Sequence, residues 1–349
     1  MRQWIRAILD RIDRRLAPLA AAHHLLANGY YALINPRFRR ELRATIAGRA
    51  AYESSVSTAP TSLLRRNIHR LEKGLTMQPR SAVFAESYIE ETVSAYARLR
   101  EVTEGDPETL RWAHDVLTEY FSVVDSTAKI ANARDQFVAC DHPSDTALAY
   151  PERWSPKPRD AGVVSGVTFD QFLLLCKQRR STRWFLPKHV PASLLDQAIE
   201  AALQAPSACN RQPFVFRSLL QPEEAAEVAS IAMGTAGYSH QIPALVVVIG
   251  DLSAFEHERD RHVPYIDGSL ATMQLMLALE TLGLASCPIN WPDIEHLEQR
   301  MAKRLELRPF ERPIMLLALG YPDPEGGIAH SAKKTPVQIQ RRTAGTANR

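Results

Sequence analysis

The chain has 349 residues, 45% hydrophobic and 23% charged, which allows two domains and a sizeable core. Its net charge of +3 gives no electrostatic case for a nucleic-acid partner. No run approaches the roughly 20 apolar residues of a membrane span, and the N-terminus lacks a secretory apolar region, so a cytoplasmic protein is expected.

In chain order, residues 1–140 read as a mostly helical region, with breaks at Asn28-Gly29, Asn35-Pro36 and Gly105-Asp106-Pro107. Its start is basic and amphipathic. Arg37, Arg39, Arg40, Arg43 and Arg49 face only Glu41, which fits a solvated face, a surface that docks on acidic residues, or a helix lying on a membrane or against a protein partner. Asn67-Ile68-His69-Arg70-Leu71-Glu72-Lys73-Gly74 reads as a helix end with Gly74 as its cap. Residues 141–167, with Pro143, Pro151, Pro156 and Pro158, form a linker.

Residues 168–340 then alternate helix and strand, and 341–349 form a flexible tail. Thr168 with Gln171, and Ser193 with Asp196, have capping-box spacing, and Asp293 is placed to cap a further helix. Short apolar runs at 213–219, 244–249 and 314–319 predict buried strands. The run 266–284 is apolar almost all round, as in a helix buried on more than one side, here at a subunit interface. Residues 251–265 carry dense charge and read as a loop or helix flanking a substrate entrance. No Gly-x-Gly-x-x-Gly follows a strand, so the pattern fits an α+β sandwich better than a doubly wound sheet.

Chemistry concentrates in two segments. Arg179, Arg180, Ser181 and Arg183 cluster donors for a phosphate dianion, and an extended backbone would turn Arg179, Ser181 and Arg183 to one side. The helix before them ends there, so its dipole has the wrong sign and side chains must do the holding. The second segment, Pro206-Ser207-Ala208-Cys209-Asn210-Arg211-Gln212-Pro213, offers neutral polar groups to an aromatic heterocycle.

Together with Leu282-Gly283-Leu284, residues 286–291, Gly320-Tyr321-Pro322 and Lys333-Lys334 before Pro336, these segments resemble the FMN-dependent nitroreductase family in order and spacing, over about residues 168–340. The resemblance implies a three-layer α+β sandwich with a central mixed, mainly antiparallel sheet, preceded here by the helical region. It implies a homodimer with FMN in clefts built from both subunits, transferring hydride between NAD(P)H and a small organic acceptor by a ping-pong mechanism. A flavin-binding or non-catalytic accessory protein of a biosynthetic complex, such as one making polysaccharide, is the alternative.

By the same resemblance, Arg179, Arg180, Ser181, Arg183 and Lys334 contact the phosphate and ribityl chain. Pro206, Ser207, Asn210 and Gln212 meet the isoalloxazine or the partner's cofactor. Cys287, Pro288, Ile289 and Asn290 form the cofactor loop, and Cys287, Asn290 and Trp291 are the candidates beside the flavin N5. The flavin carries the hydride, so no acid–base pair is demanded, and no metal is implied.

Overall fold

The computed structural model describes residues 2–102, 106–140, 153–159 and 164–341, with side chains from residue 11 onward. The first part is helical, with α1 (Arg2–Ala21), α2 (His24–Gly29), α3 (Arg39–Thr58), α4 (Thr61–Leu75), α5 (Ile89–Glu101), α6 (Pro107–Val123) and α7 (Ala128–Cys140). A helical stripe drives α4 inward: Leu64, Ile68, Leu71 and Leu75 recur every three or four residues and are buried. They share one core with Val93, Leu117, Tyr120 and Ile130 of the following helices. Asp106 starts α6 by accepting a 2.9 Å bond from Thr109 N–H, with Pro107 in the first turn.

Gly74 lies inside α4, and Thr76 caps it. The glycine serves packing instead, because a Cβ there would sit 2.4 Å from the Phe84 ring. His69 pairs with Glu72 (3.3 Å), whose other oxygen accepts from the Trp112 indole (2.9 Å), so the whole motif is internal scaffolding of the helical region. Much of the predicted linker lies outside the described residues. The part at 153–159 folds back on α6: Trp154 N–H donates to Asp115 (2.8 Å), and its ring stacks under Arg111 (4.1 Å).

The second part is α+β. Four strands, β1 (Phe214–Leu219), β2 (Ala244–Asp251), β3 (Ala285–Asn290) and β4 (Glu311–Gly320), form an antiparallel sheet in the order β1-β2-β4-β3. The only parallel pairing among the described residues is a single bridge, Ser181 to Ser286. Helices cover both faces. Leu245, Val247, Leu316 and Ala318 pack on the side of α10 (Pro222–Ala229) and α12 (Glu295–Leu305). Val246, Val248, Leu317 and Leu319 pack on the side of α9 (Ala192–Ala202) and α11 (Val263–Thr281). β2 is buried on both sides, which is why its run reads as continuous valine and isoleucine rather than alternating.

Two local expectations are corrected. Pro191, not Ser193, precedes α9, and no side chain caps it. Ile294 takes the cap position of α12, while Asp293 is drawn to Arg312 at 3.0 Å. Within the single chain helix α11 buries one face: Ala271, Leu275 and Leu279 pack inward, while Ile266, Leu270 and Met273 are 56%, 43% and 39% exposed. No helix among the described residues is long and apolar enough to cross a membrane.

The helical region docks directly on the sandwich. Arg40 pairs with Glu298 (2.5 Å), Arg49 with Glu258 (3.1 Å), Arg66 with Glu256 (3.1 Å) and Glu41 with Arg261 (3.5 Å). The charged stretch 251–265 is therefore a seam between the two halves. Arg40, Arg49 and Arg66 thus find acidic partners within the same chain.

Candidate functional site

Two clusters emerge, at opposite ends of α11. At the first, Thr168 and Gln171 close a reciprocal capping box that starts α8 (Phe169–Gln178). The helix ends at Arg179, whose ψ of 119° turns the chain outward. The next residues run alongside β3: Thr182 N–H donates to Ser286 C=O (3.1 Å), and Phe185 N–H donates to the Gln241 side chain (3.0 Å). The Gln241 amide donates in turn to the Arg183 carbonyl. Thr182 and Phe185 are buried as anchors, Arg179, Arg180 and Ser181 are half-buried, and Arg183 is exposed.

This end holds unsatisfied donors. Arg179 Nε and Nη1 are buried without a partner, and so is the hydroxyl of Ser286, a residue only 1% exposed. Buried donors of this kind are costly unless something accepts from them, so this end suits an anion with several oxygens. Glu280 lies beside it. Burial pushes its carboxyl up, opposed by the charge of Arg179 and a hydrogen bond with Gln178.

The segment expected as a cofactor loop is the edge strand β3. Pro288 is tolerated there because an edge strand needs no ladder donor on its outer side. Cys287 and Ile289 face the core beside Trp291, whereas Asn290 at the strand end is exposed and Pro288 half-buried. The Trp291 side chain turns away from solvent and donates its indole N–H to Glu298 (2.5 Å).

Cys287 is 2% exposed, and burial pushes its thiol above the ordinary value, opposed by Arg183, Tyr238 and Arg179. The thiolate is the nucleophile, so Cys287 is expected to be the slowest of the four cysteines to react with iodoacetamide, with its rate rising only above the usual thiol range. Mass-spectrometric mapping of alkylation against pH checks this. A fast reaction near neutrality would contradict it.

The second cluster is the loop 206–213. Cys209, Asn210 and Gln212 hold positive φ values of 54°, 49° and 51°, unusual for non-glycine residues. Bonds inside the loop fix it: Gln212 N–H donates to Ser207 Oγ (2.7 Å), and the Gln212 amide to Asn210 Oδ1 (3.2 Å). Asp267 of α11 accepts from Ala208 N–H (2.9 Å). Arg65 of α4 donates to the Asn210 carbonyl (2.8 Å), so the helical region grips the loop. Burial pushes the Asp267 carboxyl up, opposed by Ala208 N–H, Ser207 and Arg211. Pro206 is exposed.

Sequence reasoning missed Arg65, Asp267 and Ser286. Asp267 had a signal, being one of only two carboxylates, with Glu280, in an otherwise apolar helix. Arg65 had none, because its target lies 145 residues away.

The structure does not bring the two clusters together within one chain. Asp267 and Glu280 mark their positions on α11, about 20 Å apart at about 1.5 Å per residue. Lys334 lies in an exposed segment at 328–335.

Residues 176–238 and 217–321 match the family model described as Nitroreductase family. The chain is 29% identical over 195 residues to a Thermus thermophilus NADH dehydrogenase, covering 47% of this chain and 93% of that protein. It is 24% identical over 200 residues to iodotyrosine deiodinase 1 of Mus musculus, covering 48% and 68%. Among solved structures, it is similar to an FMN-dependent nitroreductase from Clostridium difficile R20291, with 23% identity, 45% and 91% coverage and a TM-score of 0.39. The match to the Nitroreductase family model lies in the C-terminal half of the chain.

Proposed function

We propose that this chain is an FMN-dependent oxidoreductase that works as a homodimer, moving hydride between NAD(P)H and a small organic acceptor by a ping-pong cycle in the cytoplasm. The observation that carries this reading is the set of unpartnered donors on Arg179 and Ser286. Arg179, Arg180 and Arg183 would hold the phosphate dianion, with the hydroxyls of Ser181 and Ser286 completing the donor set. Lys334 is a further cation for that end. Bound FMN supplies a two-electron carrier between donor and acceptor. Pro288, Ile289 and Asn290 present the strand edge to it, and Cys287 stays a neutral thiol on the core side.

The separation of the two clusters supports the dimer. A two-fold partner laid along the exposed stripe of Ile266, Leu270 and Met273 would bring one copy's 206–213 loop toward the other copy's arginines. Ser207, Asn210 and Gln212 would then complete the partner's cleft, held in place by Arg65 and Asp267.

The absorption spectrum of the purified protein tests the proposal. Flavin bands that bleach anaerobically with NADH or NADPH are expected. A colourless protein that cannot be reconstituted with FMN would sink the reading and favour an accessory role. Bound flavin indifferent to both nicotinamides would overturn the choice of donor.

A further inference from the structure

We propose that the N-terminal segment, residues 11–46, docks this protein on an anionic lipid surface. The inference stands independently of the flavin site. Polar groups of the segment turn inward to one knot. Asp13 of α1 accepts from the Tyr30 hydroxyl and from the Asn35 amide (3.1 Å), and Tyr31 packs edge-on against Phe38 at 4.5 Å. The other side is left apolar and open: Leu19, Leu25, Leu26, Leu33 and Ile34 are between 53% and 83% exposed. Helix α3 continues the pattern, with Ala44, Gly48 and Tyr52 buried and Leu42 and Ile46 59% and 65% exposed. So many large apolar side chains exposed within one short segment mark an interaction surface.

Charge selects the occupant. Residues 11–49 contain eight arginines against Asp13 and Glu41, in a chain whose net charge is only +3. Arg40 and Arg49 are engaged with Glu298 and Glu258 across the seam. Arg39 and Arg43 flank Leu42 and Ile46 along the exposed side of α3. Apolar side chains interleaved with arginines are what an interfacial helix needs: the first enter the acyl boundary and the second reach the phosphates. A second copy of the same face is disfavoured, because a two-fold contact would set this positive charge against itself. The described helices are too short in apolar length to span, so the segment lies on the surface rather than through it.

The test is co-sedimentation of the full-length protein with vesicles of phosphatidylcholine alone or mixed with phosphatidylglycerol. Binding to the mixed vesicles, and its release by raised salt, is expected. Arg39→Ala with Arg43→Ala is expected to lower the partition coefficient on the order of tenfold. Leu25→Glu with Leu33→Glu is expected to lower it at least as far, since two exposed leucines lose their apolar burial. Both pairs are solvent-exposed, so circular dichroism and thermal unfolding should match the parent chain. No sedimentation with the mixed vesicles at low salt would overturn the proposal. Salt-insensitive binding, equal binding by both variants, or capture by an acidic protein without vesicle binding would do the same.

Discussion

Arg179→Ala combined with Arg183→Ala is expected to weaken FMN binding by at least about 100-fold while leaving the fold intact. Each guanidinium replaces water around a phosphate dianion with charge-assisted hydrogen bonds, worth about 1.5–3 kcal/mol apiece. Two such losses amount to roughly two decades or more in affinity, at about 1.4 kcal/mol per decade. Stability should hardly change. Among the described residues Arg179 Nε and Nη1 have no acceptor, and Arg183 is exposed, so alanine removes donors on which the fold does not depend. Fluorescence titration with FMN, set beside thermal unfolding, separates the two effects. Unchanged flavin affinity would show that the phosphate is held elsewhere, and a large stability loss would show that Arg179 is structural.

Glu298→Ala is expected to be the most destabilising single change in the seam, by about 3–5 kcal/mol, because it removes the common partner of three groups. Glu298 is fully buried, pairs with Arg40 at 2.5 Å and Arg312 at 3.4 Å, and accepts from the Trp291 indole at 2.5 Å. Without it, Arg312, itself 2% exposed, keeps only Asp293 at 3.0 Å, and the indole N–H is orphaned in the core. For a chain of this size the unfolding midpoint should fall by roughly 4–7 °C. Glu298→Gln, which keeps an acceptor for the indole, should cost less, and Arg40→Ala should loosen the helical region while sparing the sheet. Calorimetry of the three variants checks the order. A midpoint unchanged in Glu298→Ala would mean that the pair's desolvation cost already cancels its attraction.

The fold was legible where a single periodicity governs. The apolar stripe of α4, the continuous β2 run and the Thr168 capping box each follow from spacing alone, and each is seen. Caps failed where a stronger partner intervened: Asp293 goes to Arg312, and a proline enters α9 in place of Ser193. β3 was expected as a cofactor loop on the resemblance alone, and Pro288 is compatible with a strand at a sheet edge. In the candidate site, arginine and serine in one short segment marked the donor end. Tertiary partners stayed hidden: nothing near Asn210 in sequence announces that Arg65 holds its carbonyl or that Asp267 holds the preceding turn. The charged stretch 251–265 was misjudged for the same reason, since its acids answer arginines some two hundred residues upstream.

Placing the two clusters at opposite ends of α11 carries a thermodynamic consequence for the proposed dimer. If each cleft takes its arginines from one copy and its 206–213 loop from the other, cofactor affinity and self-association are one linked equilibrium, and each strengthens the other by the same factor. Dilution would then strip flavin from the protein without any competitor present. Added FMN would in turn hold the dimer together at concentrations where the bare chain separates.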